Sequence, residues 1–228
     1  MLSQTEQLVF QHLSQFVSDH KKEAIERVLS LRTRHITIVL EDIFQSQNAS
    51  AVVRTAECMG LQEVHIVENI SKYSINPKVL RGANKWMDIQ QYKSKKENNT
   101  VTCFEKLRRD GYKILVTDPD EDGVPIHDIS VGDSKIALLF GNELRGVSRE
   151  ALKGCDQKIK IPMYGFTESL NISVSVAICL STLITKLRHE KIEAGLTLPE
   201  MDAIRLKWYR KIVRKSDLIE REFLRAIQ

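Results

Sequence analysis

The chain has few of the residues that announce metal, redox or disulfide chemistry. Its four cysteines, Cys58, Cys103, Cys155 and Cys179, include no CxxC pair. That excludes a zinc ribbon and a thioredoxin-type site. A chain of 228 residues is also too large and too cysteine-poor to be a disulfide scaffold. All four thiols are expected to be reduced and the protein cytoplasmic. The six histidines, His12, His20, His35, His65, His127 and His189, form no HExxH or HxxxH pattern, so no metal is expected. There is no GxGxxG dinucleotide loop and no GxSxG elbow. Residues 1–10 lack a basic region followed by an apolar run, so no signal peptide is expected. The uncharged stretch 169–185 falls short of the ~20 apolar residues of a spanning helix. It contains Asn171 and several Ser and Thr, and reads as a buried helix of a protein without a membrane partner.

What is present is ordinary for a globular protein: 42% hydrophobic and 28% charged residues. The net charge of +4 diagnoses nothing until it is located. Residues 1–34 carry +1, residues 35–185 carry −1 and residues 186–228 carry +4. Between Arg205 and Lys215 every charged side chain is basic. Helical spacing puts Lys207, Arg210, Lys211 and Arg214 on one side, and Met201, Ile204, Trp208 and Ile212 on another. Thr197 and Glu200 with Pro199 make a capping box that starts this helix. A basic stripe on a docked helix binds phosphate, or is simply a solvated face. The charge alone leaves both open.

The middle of the chain alternates. Residues 36–40 read as a buried strand. A helix follows from Asn48 to Met59, with Asn48 as N-cap and Gly60 as C-cap. Strands are expected at 63–67, 112–116, 136–140 and 158–161, the last stopped by Pro162. Helices are expected at 103–110 and 170–188. Continuous apolar strands separated by helices argue for a parallel α/β sheet covered on both faces. Helical extensions precede and follow it, giving an N-terminal extension 1–34, a central domain 35–188 and a basic C-terminal extension 189–228.

Open α/β sheets bind ligands at the carboxyl ends of their strands, and three loops belong there. The first is 47–54, with Asn48 and Arg54. The second is 139–148, Leu-Phe-Gly-Asn-Glu-Leu-Arg-Gly-Val-Ser. It has the glycine spacing of a phosphate loop, but Val147 replaces the lysine and Glu143 would repel the phosphates. The third is 159–175, running from Ile161-Pro162-Met163 through Ser169-Leu170-Asn171. Singly each has a plain structural reading: a cap, a turn glycine, a strand stop.

In this order the three resemble the motifs of the SPOUT class of RNA methyltransferases, over residues 35–188. The finer resemblance, through Ser169-Leu170-Asn171, the Lys85-Trp86 pair after Gly82 and the terminal extensions, is to the TrmH-type tRNA guanosine-18 2′-O-methyltransferases. The resemblance implies a C-terminal deep trefoil knot that binds S-adenosylmethionine, a tRNA substrate and a homodimer paired through the knot helices. It assigns catalysis to Arg54, Asn48, Glu143, Ser169 and Asn171. It assigns the methyl donor to Thr117, Leu139, Gly141, Ile161, Met163 and Leu170, and the tRNA to the stripe of Lys207, Arg210, Lys211 and Arg214. Arginine is a poor general base, because its guanidinium holds its proton too tightly. Orienting the 2′-oxygen and stabilising its developing charge suit it better. Asn48 is expected to hold the loop or Arg54, and Glu143 to orient its own loop and Arg54. Glu168 departs from the family pattern, adding a carboxylate beside the donor pocket. Two alternatives stand: the same chemistry on ribosomal RNA, and a catalytically silent knotted protein that binds RNA.

Overall fold

The computed structural model describes residues 2–118 and 122–227. In chain order it begins with α1 (Gln4–Ser14), α2 (Asp19–Leu29), β1 (Ile36–Glu41), α3 (Ser46–Cys58) and β2 (Glu63–Val67). Next come α4 (Pro77–Leu80), β3 (Asp88–Tyr92), α5 (Asn99–Arg109), β4 (Tyr112–Thr117) and β5 (Val124–Pro125). The remainder is β6 (Lys135–Phe140), α6 (Arg149–Gly154), β7 (Gln157–Lys160), α7 (Ile172–His189), α8 (Leu198–Ile212) and α9 (Ser216–Ala226). These elements make two compact units, Thr33–Ala194 and the pair of terminal stretches Met1–Arg32 and Gly195–Gln228. The terminal stretches, which the sequence reading keeps apart as 1–34 and 189–228, thus share one unit.

In the larger unit the seven strands form one parallel sheet in the order β3-β2-β1-β6-β4-β7-β5. The central pair runs from Ile36 opposite Ile136 to Leu40 opposite Phe140. Side chains alternate along each strand, and both faces are covered. One face, with Ile36, Ile38, Leu40, Ile136, Leu138 and Phe140, packs on α3 and α7 through Val52, Val53, Ala56, Val176, Cys179, Leu180 and Leu183. The other, with Val39, Ile114, Val116, Ala137 and Leu139, packs on α5 and α6 through Cys103, Phe104, Leu107 and Ala151. Two apolar faces make the central strands largely hydrophobic, the buried Thr37 of β1 being satisfied by donating to the Glu63 carbonyl. Burial pushes the thiols of Cys103 and Cys179 upward, Cys179 to about 12. A protonated thiol is a weak nucleophile, so both act as core hydrophobes.

α7 is long and apolar enough to cross a membrane by composition. Here it is a core helix, with Val176, Cys179, Leu180, Leu183 and Leu187 buried against α3 and the sheet. Four elements escape the sequence reading, among them α6, which opens behind its N-cap Ser148. β3, Asp-Ile-Gln-Gln-Tyr, pairs only with β2 at the sheet edge and is half-buried. β5 is two residues long, and α4 is a single turn. Three helix starts also differ, α7 beginning at Ile172 behind its N-cap Asn171 where residue 170 is expected. α5 begins at Asn99, four residues before the expected Cys103, because the Asn98 side chain accepts from the N–H groups of Thr100 and Val101. α3 begins at Ser46 with Gln45 as N-cap, so Asn48 lies inside its first turn and is not the cap. Gly60 follows the C-cap Met59 with φ 87, the left-handed turn that glycine allows at a helix end.

The terminal unit is held by packing and ion pairs of its own. Trp208 is fully buried beneath the Arg32 guanidinium, 5.5 Å from the ring centroid. Arg205 is bidentate to Glu26, at 2.5 and 2.7 Å, joining α2 to α8. The expected capping box at Thr197 and Glu200 opens α8.

Candidate active site

Parallel strands deliver their carboxyl ends to one edge of the sheet. There the segments after β1, β4, β6 and β7 surround a cavity of about 540 Å³, within the range of small-molecule sites. Asn48 and Gln45 line it from the start of α3, Thr117 and Asp118 from the end of β4, and Gly141 to Glu143 from the segment after β6. Ile161, Met163 and the run Glu168 to Asn171 line it from the segment after β7.

The second loop is shaped by its backbone. Asn142 and Gly146 exchange N–H···O bonds of 2.8 and 2.9 Å. The Asn142 side chain donates to the Asp42 carbonyl at 2.6 Å and accepts from the N–H groups of Leu144 and Arg145. The loop therefore folds back so tightly that a Cβ at position 141 would lie 2.4 Å from the Gly146 oxygen. Only glycine fits where backbone meets backbone. At the far end, the Ser148 N–H and hydroxyl both donate to the Glu41 carboxylate at 2.8 Å. Thr100 adds a third hydrogen bond to that carboxylate, which is 2% exposed. Glu41, at the end of β1, is the anchor that sequence reasoning missed. No motif marks it, because its partners lie 59 and 107 residues away.

A chain of side chains joins the three loops. The Asn48 amide donates to Glu143 Oε1 at 2.8 Å, and Asn48 Oδ1 accepts from the Asn171 amide at 3.2 Å. Asn171 Oδ1 in turn accepts from the Ser173 N–H and hydroxyl and caps α7. Glu143 Oε2 accepts from the Phe44 N–H at 3.3 Å. Asn48 thus holds Glu143, and both asparagines are fixed in orientation where they line the cavity.

The remaining expected residues divide. Thr117, Gly141, Ile161, Met163, Ser169 and Leu170 line the cavity, as does Glu168. Leu139 does not. Its side chain is fully buried on the opposite face of the sheet with Cys103 and Phe104, and only its carbonyl turns back, to accept from the Thr117 hydroxyl at 2.9 Å. Arg54 is also outside the lining. It is exposed on α3, six positions beyond Asn48, and donates to the Val79 carbonyl at 3.4 Å. It makes no hydrogen bond to Asn48 or Glu143, so neither side chain orients it in this state. Asp118 and Gln45 line the cavity unanticipated.

The expected RNA stripe is partly consumed. Arg210 is bidentate to Glu220, at 2.9 and 2.6 Å. Arg214 lies beyond the end of α8, past the C-cap Val213, and so is off the helical face. Lys207, Lys211 and Arg214 are exposed.

The lining suits a nucleoside bearing a charged, flexible arm. Ile161, Met163, Leu170 and Val147 offer an apolar wall for a flat ring, while Asp118, Glu168, Asn48 and Ser169 offer polar groups to the rest.

Comparison with known proteins shows the family. The SpoU rRNA Methylase family model matches residues 35–181. A tRNA (guanosine(18)-2′-O)-methyltransferase of Borreliella burgdorferi is 44% identical over 208 residues, covering 91% of this chain and 93% of the relative. An enzyme of the same name from Thermus thermophilus is 30% identical over 78% of this chain and 87% of its own length. Among solved structures, the TrmH/SpoU tRNA modifying enzyme of A. aeolicus superposes with a TM-score of 0.76 and 27% identity, covering 86% of this chain and 98% of that one.

Proposed function

The chain belongs to the SpoU rRNA methylase family, and from that premise we propose that it methylates the ribose 2′-hydroxyl of guanosine 18 in tRNA, with S-adenosylmethionine as donor. The observation that carries the reading is the bonded series Glu143–Asn48–Asn171, which ties three loops around one cavity. The name shared by relatives that cover 91% and 78% of this chain supplies the target.

When bound, the donor supplies an electrophilic methyl group on a sulfonium. Thr117, Gly141, Ile161, Met163 and Leu170 would hold it, with the narrow turn at Gly141 keeping the floor open. Leu139 contributes only backbone. The protein's part in the chemistry is positioning and charge. Reacting atoms held in line convert binding order into rate. Arg54 orients the 2′-oxygen and, as the hydroxyl proton passes to water, stabilises the negative charge that develops there. For this it must release the Val79 carbonyl and turn toward the cavity when RNA arrives. A 3.4 Å bond at an exposed site is weak enough to give up. Glu143 and Asn48 keep the rim of the cavity in place during that step.

Two further features belong to the same reading. One is a deep trefoil knot in the polypeptide. Its support is the path from β7, next to the sheet edge, back to α7, which packs on α3 beside the central strands. The other is a homodimer paired through α7. Its support is the exposed apolar side chains of Val174 on that helix and of Leu144 and Phe166 on the segments after β6 and β7. Such a pairing would be isologous. The four free thiols fit a cytoplasmic enzyme.

The test is transfer of labelled methyl groups to tRNA transcripts and, in parallel, to ribosomal RNA fragments, with mapping of the modified nucleotide. Label at guanosine 18 of tRNA is expected. Label only in ribosomal RNA, or none, would overturn the assignment.

A further inference from the structure

Residues 69–87 contain Lys72, Lys78, Arg81 and Lys85 and no carboxylate. Two hydrogen bonds lay this segment along α3. The Asn76 N–H donates to the Ser50 hydroxyl at 2.7 Å, and the Val79 carbonyl accepts from Arg54. Ser50 is two positions from Asn48, which lines the cavity. The segment therefore follows α3 from the level of Ser50 to the level of Arg54.

We propose that this segment, with α3, is a phosphate-binding surface that guides the acceptor RNA strand to the cavity; the proposal rests on the reading of the protein as an RNA methyltransferase. Lys72, Lys78 and Arg81 are exposed, and none forms an ion pair among the described residues. The carboxylate nearest along α3, Glu57, lies one turn beyond Arg54 on the side away from Asn48. In the terminal unit, by contrast, Arg205 and Arg210 are committed to Glu26, Asp202 and Glu220. Arg81 is the C-cap of α4, with φ 53, the left-handed conformation in which many helices end and which asparagine also accepts. Cations in a row bind a nucleic-acid backbone through charge, without reading bases.

The experiment compares the full chain with Lys78→Ala, Arg81→Asn and a triple variant of these two with Lys72→Ala. Binding to two different tRNA transcripts is measured across a salt series, with S-adenosylmethionine affinity and melting temperature as controls. Asparagine accepts the left-handed backbone, so Arg81→Asn should melt no lower than wild type. The triple variant should bind both transcripts at least tenfold more weakly. Its slope of log affinity against log salt should flatten by about 0.7–0.9 for each phosphate no longer neutralised. Donor affinity should stay within twofold. An unchanged slope in the triple variant, with a wild type that binds and methylates tRNA, would overturn the surface and leave the enzyme reading standing. Weakening confined to one transcript, or accompanied by weaker donor binding, would also overturn it. A wild type that neither binds nor methylates RNA would remove the enzyme reading first and this surface with it.

Discussion

Glu41→Ala isolates the anchor of the second loop. In the native protein the carboxylate accepts the Ser148 N–H, the Ser148 hydroxyl and the Thr100 hydroxyl in a site 2% exposed. Truncation orphans the Ser148 N–H, at about 1–3 kcal/mol for a buried donor. It also removes two hydroxyl bonds to a charged acceptor, each worth about 1.5–3 kcal/mol before rearrangement. The hydroxyls can turn, since Ser148 Oγ also accepts from Ala151 N–H and Thr100 Oγ1 from the Asn69 amide. The net loss should therefore be about 3–5 kcal/mol, near the low end of that sum and similar to breaking a buried polar pair. Denaturant unfolding of the larger unit reads this directly. Glu41→Gln keeps an oxygen for the Ser148 N–H and an amide that donates to the two hydroxyl oxygens, so it should recover more than half of the loss. Because Ser148 closes the loop that begins at Gly141, donor affinity should fall with Glu41→Ala and return with Glu41→Gln. A stability loss below about 1 kcal/mol, the size of an ordinary solvated bond, would refute the anchor.

Three other outcomes are expected. Arg54→Ala should lower single-turnover methyl transfer by ~10²–10³, as for loss of an oxyanion partner, with donor affinity within a few-fold because Arg54 lies outside the cavity; more than half of wild-type rate would remove its role. Charge reversal at Lys207, Lys211 and Arg214 should weaken binding of all tRNAs alike and flatten the salt slope, while Arg210→Ala, whose pair with Glu220 is half-exposed, should cost only ~0.2–1 kcal/mol; an unchanged slope returns the stripe to a solvated face. Burial lowers the pKa of His65 to about 4, so the imidazole is neutral near pH 7 and its 3.5 Å approach to Glu63 is not an ion pair there. The unfolded state binds that proton first, so stability should fall as pH drops from about 6.5 towards 4, with a slope of at most ~1.4 kcal/mol per pH unit. Glu63, raised by burial, acts in the opposite sense, and a His65→Gln variant with an undiminished slope would rule out the histidine as the cause.

The sequence by itself determined the layered parallel sheet, its central strands and the loops that meet at its edge. Central strands covered on both faces must be largely apolar, so they are legible as runs, and parallel connection sends every strand's carboxyl end to the same side. The same property hid what lay beyond. With both faces apolar, residues 136–140 carry no mark of which side chains face which helix, and Leu139 could not be told from Phe140. β3 was missed because an edge strand half-covered by protein needs no apolar run. Only the tertiary structure decided which side chains meet. Asn48 looked like a helix cap because local spacing permits one, but it sits in the first turn of α3, held by Glu143 across 95 residues of chain. Glu41 carried no signal at all until Ser148 and Thr100 were brought to it. Arg54 stands apart from both. Local sequence sets backbone preferences, whereas a polar side chain's partner is whatever the fold brings within hydrogen-bonding reach of it.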